Sequence, residues 1–298
     1  MIALVRTELF KATVRARTLI IGLILVGLPT LIVLAVKARG KNRRGDEGAG
    51  LFRLAQQSGF LVPAAVLSVM SGFLLVVIAG TFAGDSVAGD ASWGNLRYLL
   101  MRPVPRGRLL VAKAIVAAVL IWASTILVAL AGLVAGLALF GAHPVSVPGA
   151  FAGLGSVTNG ARVIPGGGPV IPGGALAFFQ LTRGVLITRS VIATAYVAFG
   201  YTALVALGTL FSIFTDSAAG AIGATVGVYI VSEILDGISQ LGRARYFFPT
   251  HYLDSWQSMF TGNHYSHDMV AGVMLQVAYL VIFGGLAVVW FRRKDIRS

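Results

Sequence analysis

The chain has 298 residues, of which 57% are hydrophobic and only 12% charged, and its mean hydropathy is +0.85. Soluble domains carry about 25% charged residues, so a deficit this large, concentrated in long uncharged runs, makes lipid the solvent for most of the protein and excludes an ordinary soluble fold. A net charge of +13 would point to nucleic acid in a soluble protein; here anionic headgroups account for it, and the absence of cysteine excludes disulfides, thiolate metal sites and Cys nucleophiles.

Taken from the start, residues 1–17 place Glu8, Lys11 and Arg15 on one helical face and Ile2, Val5, Leu9, Ala12 and Ala16 opposite. That pattern predicts a short helix lying along the membrane surface, the alternative being a solvated tail. The apolar run 18–36 is longer than a signal-peptide core and five more runs follow it, so it reads as a retained anchor. Runs long enough to cross ~30 Å of hydrocarbon predict spans at about 18–36, 60–83, 114–140, 190–215, 217–238 and 269–291. The expected fold is therefore an all-α polytopic membrane protein, a single transmembrane domain over 1–298. An even count puts both termini on one side. Arg6, Lys11, Arg15 and Arg17, the basic residues near 97–113, and Arg292, Arg293, Lys294 and Arg297 lie close to span ends, which favours a cytoplasmic location for the termini in the inner or plasma membrane. The basic first loop, "KARGKNRRGDEGAGLFR", pulls the other way.

Between the second and third spans stands "GDASWGNLRYLLMRPVPRGRLLVAK", residues 89–113. Asp90 is placed to cap a helix from Ala91 to about Met101, its carboxylate accepting early free N–H groups. Trp93, Leu96, Leu99 and Leu100 fall on one face with Arg97 off it; Arg102 closes the helix before Pro103 and Pro105, and Arg106, Arg108 and Lys113 lead into the third span. A basic helix resting on headgroups explains the charge. It explains less well the Trp and Leu residues in so short and sharply bounded a helix, which suit a knob that a cytosolic partner grips and moves.

Residues 141–174 hold ten glycines and five of the ten prolines, with "VIPGG" at 163–167 and again at 170–174, and predict a turn-rich external loop. No Gly-Lys-Ser/Thr enters a helix there, so it is no phosphate cradle. "ALAFFQLTRGVLITRS" predicts an interfacial helix leading into the fourth span, interrupted by Arg183 and Arg189. Thr215-Asp216-Ser217 joins spans four and five in a tight hairpin. Before the last span, Tyr246, Phe247, Phe248, Tyr252, Trp256, Phe260 and Tyr265 suit the headgroup level, with Pro249 dividing two short interfacial helices. His264 and His267 have the i,i+3 spacing of a metal pair, though ordinary interfacial histidines read the same way, and no metal site is expected. Glu233 is an ionisable group inside a span, which faces a cavity or partner or, near the span end, snorkels to water; it is the one candidate for a substrate path. Gly80/Gly84, Gly132/Gly136 and Gly223/Gly227 have helix-packing spacing. No Ser-His-Asp order, His-Glu-x-x-His motif or pair of acids within one span is present, so no catalytic residue is assigned.

The layout resembles the permease subunit of ABC-2-type ABC transporters: a basic amphipathic start, two spans and a cytoplasmic helix, a close hairpin of spans four and five, an external aromatic segment and a last span. The family's loop after span two carries an acid, Gly-Thr, two leucines, a proline, an arginine and a lysine; here these are Asp90, Gly94-Asn95, Leu99-Leu100, Pro103, Arg106 and Lys113. The ending "WFRRKDIRS" is similar to the family's basic close. Asn95 replaces the usual Thr, Asp replaces Glu, and the 141–174 loop is unusually long. The resemblance implies an exporter of lipophilic or amphipathic cargo, such as an antibiotic or lipid. It implies two permease copies, most simply a homodimer, on two ABC ATPase subunits that bind ATP and Mg²⁺, with no cofactor in this chain. The coupling helix would be 90–101, seated in a groove of the ATPase. The runner-up, a stand-alone secondary transporter or channel, would need intramembrane charge for ion coupling, and Glu233 alone qualifies. An intramembrane enzyme or assembly scaffold is the third reading.

Overall fold

A computed structural model of the chain describes residues 1–38, 55–56, 58–92, 105–142, 145–148, 178–181, 183–215, 217–261 and 265–293. It is a polytopic, predominantly α-helical membrane protein. The helices are α1 (Ile2–Val14), α2 (Ala16–Ala38), α3 (Val62–Gly72), α4 (Leu74–Gly84), α5 (Ala88–Ser92) and α6 (Arg106–Phe140), followed by α7 (Arg183–Phe214), α8 (Ala218–Asp236), α9 (Ser258–Thr261) and α10 (Tyr265–Arg293). Helices α2, α6, α7, α8 and α10 are each long and apolar enough to cross a membrane.

The run 60–83, expected as one straight span, is broken. Helices α3 and α4 meet at Phe73 with a 58° bend, and the pair counts as a sixth crossing only if taken together. Phe73 leaves the helical region (φ −141°, ψ −51°), so carbonyls at the end of α3 lose their helical donors. Non-helical backbone at membrane depth survives only where protein re-satisfies it. Here the fully buried Tyr201 of α7 donates its hydroxyl to the Ser71 carbonyl.

Helix α7 is the centre of the bundle, packed against α10, α4, α6 and α8, while α2 and α10 keep most of their surface for lipid. Two of the three glycine pairs are close contacts. A Cβ at Gly136 of α6 would fall 2.6 Å from Val62 Cβ, and one at Gly84 of α4 would fall 2.9 Å from the Ile222 backbone nitrogen of α8. Gly223 and Gly227 have nothing within 4 Å and face outward.

Three further expectations are revised. The stretch expected as an interfacial helix before span four begins instead as a strand, β2 (Phe178–Leu181), paired antiparallel with β1 (Val145–Pro148) in the register Val145↔Leu181. From Arg183 onward it continues straight into α7. Arg189 does not interrupt the span, because its guanidinium is buried and donates to the Met259 carbonyl at 2.9 Å. In the aromatic segment, 3₁₀ turns at Ser239–Phe247 and Ser255–Gln257 flank Pro249, but only part of it lies at the surface: Tyr246 and Phe247 are exposed, whereas Trp256 and Phe260 are in the core. The remaining parts of the 37–58 and 141–174 loops lie outside the described residues.

Candidate functional site at the face shared by the termini

Seven charged side chains from four elements meet where the membrane-crossing helices begin. The charges come from a chain with only eleven acidic residues, three of which are here. Lys113, two turns into α6, is 8% exposed in its side chain; its ammonium donates to Glu8 Oε2 of α1 at 3.1 Å and to Asp90 of α5. Arg15, between α1 and α2, reaches Asp85 Oδ2 at 2.7 Å and Asp90 Oδ1 at 3.7 Å. Arg17 also pairs with Asp85, and Lys11 closes the cluster on Glu8 Oε1 at 3.2 Å. Four cations against three carboxylates leave the cluster near neutral around a cavity of ≈ 40 Å³, room for ordered water.

Local sequence explains how each group arrives. The chain leaves helical geometry at Arg15 (φ −65°, ψ 133°), and this break between α1 and α2 swings Arg15 and Arg17 toward the end of α4. Ser212 of α7 donates to the Gly84 carbonyl at 2.7 Å and accepts from Val87 and Ala88 N–H at 3.0 and 2.8 Å, clamping the turn from α4 into α5. At the start of α5, Gly89 leaves room for the Asp85 carboxylate: a Cβ there would lie 2.2 Å from Oδ1, so a side chain would have to displace the carboxylate that Arg15 and Arg17 hold. Helix α1 is rotated from the sequence expectation. Val5, Leu9 and Ala12 do pack on the core, but Glu8 turns inward beside them, while Ile2, Phe10 and Val14 are exposed. The reason is Lys113, a buried cation that needs an anion. Burial by itself would raise the Glu8 carboxyl's pKa; the charge of Lys113 and the hydrogen bonds from Lys113 and Lys11 outweigh it and hold the group below the ordinary carboxylate range.

Asp90 therefore does not cap a helix beginning at Ala91. It lies inside the short α5, is 8% exposed, and is committed to Lys113 and Arg15. Trp93, Leu96, Arg97, Leu99, Leu100 and Arg102 lie outside the described residues. The last turn of α10 returns to this same face: a Cβ at Gly107 would come within 3.1 Å of Arg292 Nε, so α1 and the end of α10 lie on one side.

The second polar element is intramembrane. Tyr229 stands within electrostatic range of both Glu233 and Tyr201, and Tyr201 in turn donates to the Ser71 carbonyl at the break, so a run of polar groups leads from Glu233 toward the bend in the α3–α4 pair. Beyond it, His251 Nδ1 lies 2.6 Å and Arg245 Nε 3.6 Å from Asp236 Oδ1 at the end of α8. His264 lies outside the described residues; His267 is exposed, 3.4 Å from Asp268. Among the described residues no three His, Asp or Glu side chains are placed to share a metal.

Sequence reasoning found Asp90 and Glu233 but missed Glu8 and Lys113 as partners, and Asp85, Tyr201 and Tyr229 altogether. The scarcity of acids was the usable signal: each carboxylate at a membrane border in so basic a chain has several cations competing for it. The chain belongs to the family described as protein of unknown function (DUF2705), whose profile matches residues 52–297. No curated protein matches it.

Proposed function

We propose that this member of the family is the membrane-spanning permease subunit of an ATP-driven ABC-2-type exporter, with six crossings and the face of the termini in the cytoplasm. The observation that carries the reading is the ion-pair network. Asp90 and Pro105 bracket the basic Trp/Leu stretch, and Asp90 is fastened to α1 through Glu8 and Lys113 and to α6 through Lys113 itself. A push on residues 93–104 by a cytosolic subunit would act on α1 and on the 35-residue lever of α6 together. In this reading Trp93, Leu96, Leu99 and Leu100 seat in a groove of the ATPase, Arg97 and Arg102 lie at its rim, and two ATPase subunits with ATP and Mg²⁺ serve two permease copies. The cargo class is lipophilic or amphipathic, taken up from or delivered to the bilayer, and Glu233 with Tyr229 borders its path.

The test is purification of the chain in detergent from its native host. A soluble ATPase should co-purify, and Trp93→Ala or Leu96→Ala should reduce its association at least tenfold, since truncating a buried interface anchor costs ~2–4 kcal/mol. Normal association of both variants, or transport driven by an ion gradient without any ATPase, would instead support a stand-alone secondary transporter.

A further inference from the structure

Away from both polar elements, a cavity of ≈ 340 Å³ opens on the side of the bundle between α3, α6 and α7. Its walls are hydrocarbon: Ile126 and Leu130 from α6, Ile187 and Val191 from α7, with the Trp122 indole at its inner end. The two hydroxyls that line it are turned away, Ser190 toward the Phe60 carbonyl at 3.4 Å and Thr194 toward the Ser190 carbonyl at 2.7 Å. The Trp122 N–H is spent on Thr202 Oγ1 at 3.1 Å. Among the described residues no polar group is therefore offered to an occupant inside the cavity. Ile126, Leu130, Ile187 and Val191 are each more than a third exposed, so the cavity opens outward to the acyl phase.

Its depth is that of one leaflet. Trp122 to Leu133 spans about 16 Å of α6 at 1.5 Å per residue, against roughly 15 Å for half the hydrocarbon core. It occupies the half of the bundle remote from the ion-pair network, since α3 begins at this end and α6 finishes there. Just beyond it along α7 stands Arg183, exposed and without an ion pair among the described residues. Arg183 is one turn above Ile187 on the same stripe of α7, roughly 6 Å higher along the axis, where the headgroup of a lipid in that leaflet lies.

We propose that this cavity is a binding site for one acyl chain of an anionic phospholipid, with the lipid phosphate held by Arg183. The chemistry of the two ends selects the occupant: a dry, leaflet-deep slot admits a hydrocarbon chain, and Arg183, one helical turn beyond it and without an ion pair among the described residues, favours a net negative headgroup over a zwitterionic one. The site stands independently of the exporter reading, because it requires neither a partner ATPase nor a transported substrate.

Trp122 reports on occupancy. The full-length chain is reconstituted in phosphatidylcholine vesicles doped with chain-dibrominated phosphatidylglycerol or dibrominated phosphatidylcholine, and contact quenching of tryptophan is compared with that of Trp122→Phe. One arginine facing an anionic headgroup gives roughly fivefold preference, so the Trp122 component should be quenched at roughly fivefold lower mole fraction of the phosphatidylglycerol probe. Arg183→Gln should abolish the preference but keep quenching, and Ala195→Phe, at an exposed position on the wall, should remove the Trp122 component altogether. Both variants are first required to be monodisperse. Equal quenching by the two probes, or preference retained in Arg183→Gln, would overturn the proposal. Absence of Trp122 quenching by either probe would also overturn it, and would assign the cavity to another segment of this chain or to a second copy.

Discussion

Lys113→Met isolates the energetics of the ion-pair network. The ammonium is buried and neutralises two carboxylates, Glu8 at 3.1 Å and Asp90. Removing one partner of a buried pair costs about 3–5 kcal/mol because it strands the other charge without solvent. Each stranded carboxylate keeps a second cation, Lys11 at 3.2 Å from Glu8 and Arg15 at 3.7 Å from Asp90, so the loss belongs at the lower end of that range. At roughly 2 °C per kcal/mol for a chain of this size, the midpoint of thermal unfolding should fall by about 6 °C. The assay is fluorescence-detected size exclusion after heating in detergent. Neutralising the triad as a whole, with Glu8→Gln, Asp90→Asn and Lys113→Met combined, should recover to within about 2 °C of the parent, since a buried pair replaced by neutral groups of similar volume is often near neutral. If Lys113→Met melts within about 1 °C of the parent, or if the triple variant is as unstable as the single one, the network does not hold α1 to α6 and the lever argument loses its support.

Three other outcomes follow from the same geometry. The Glu8 carboxyl is held below its ordinary value, so its contribution to stability is complete above the unfolded value of ~4.3 and is lost as pH falls through the lower folded one; melting should be flat above pH ~5 and decline on further acidification, and Glu8→Gln should lessen that decline. Tyr201→Phe deletes the donor that satisfies the Ser71 carbonyl at the α3–α4 bend and should cost ~1–3 kcal/mol, read as a lower melting midpoint; an unchanged midpoint would mean the bend is held without that hydroxyl. Gly136→Ala would drive a methyl into Val62 at 2.6 Å and should lower melting and monodispersity, while Gly227→Ala, with nothing within 4 Å, should leave both unchanged in the isolated chain.

The sequence by itself determined what the membrane dictates. Uncharged runs of sufficient length can only be spanning helices, so α2, α6, α7, α8 and α10 fall where the runs at 18–36, 114–140, 190–215, 217–238 and 269–291 lie; α2, α6, α7 and α10 reach several residues further at polar ends, while α8 is slightly shorter than its run. Their order follows from the same one-dimensional signal, because each helix satisfies its own backbone. What only the tertiary structure decided is which side chains meet across helices. Glu8 and Lys113 are 105 residues apart, and Arg15 and Asp85 are 70; no periodicity in either segment states that they pair. The bend at Phe73 is likewise invisible to hydropathy, since both halves of the run are strongly apolar and the break is stabilised by a tyrosine 130 residues away from the carbonyl it binds. Trp256 and Phe260 show the same limit. An aromatic side chain suits the interface and the core alike, and only the packing of α9 and the preceding 3₁₀ turn against the bundle placed these two inside.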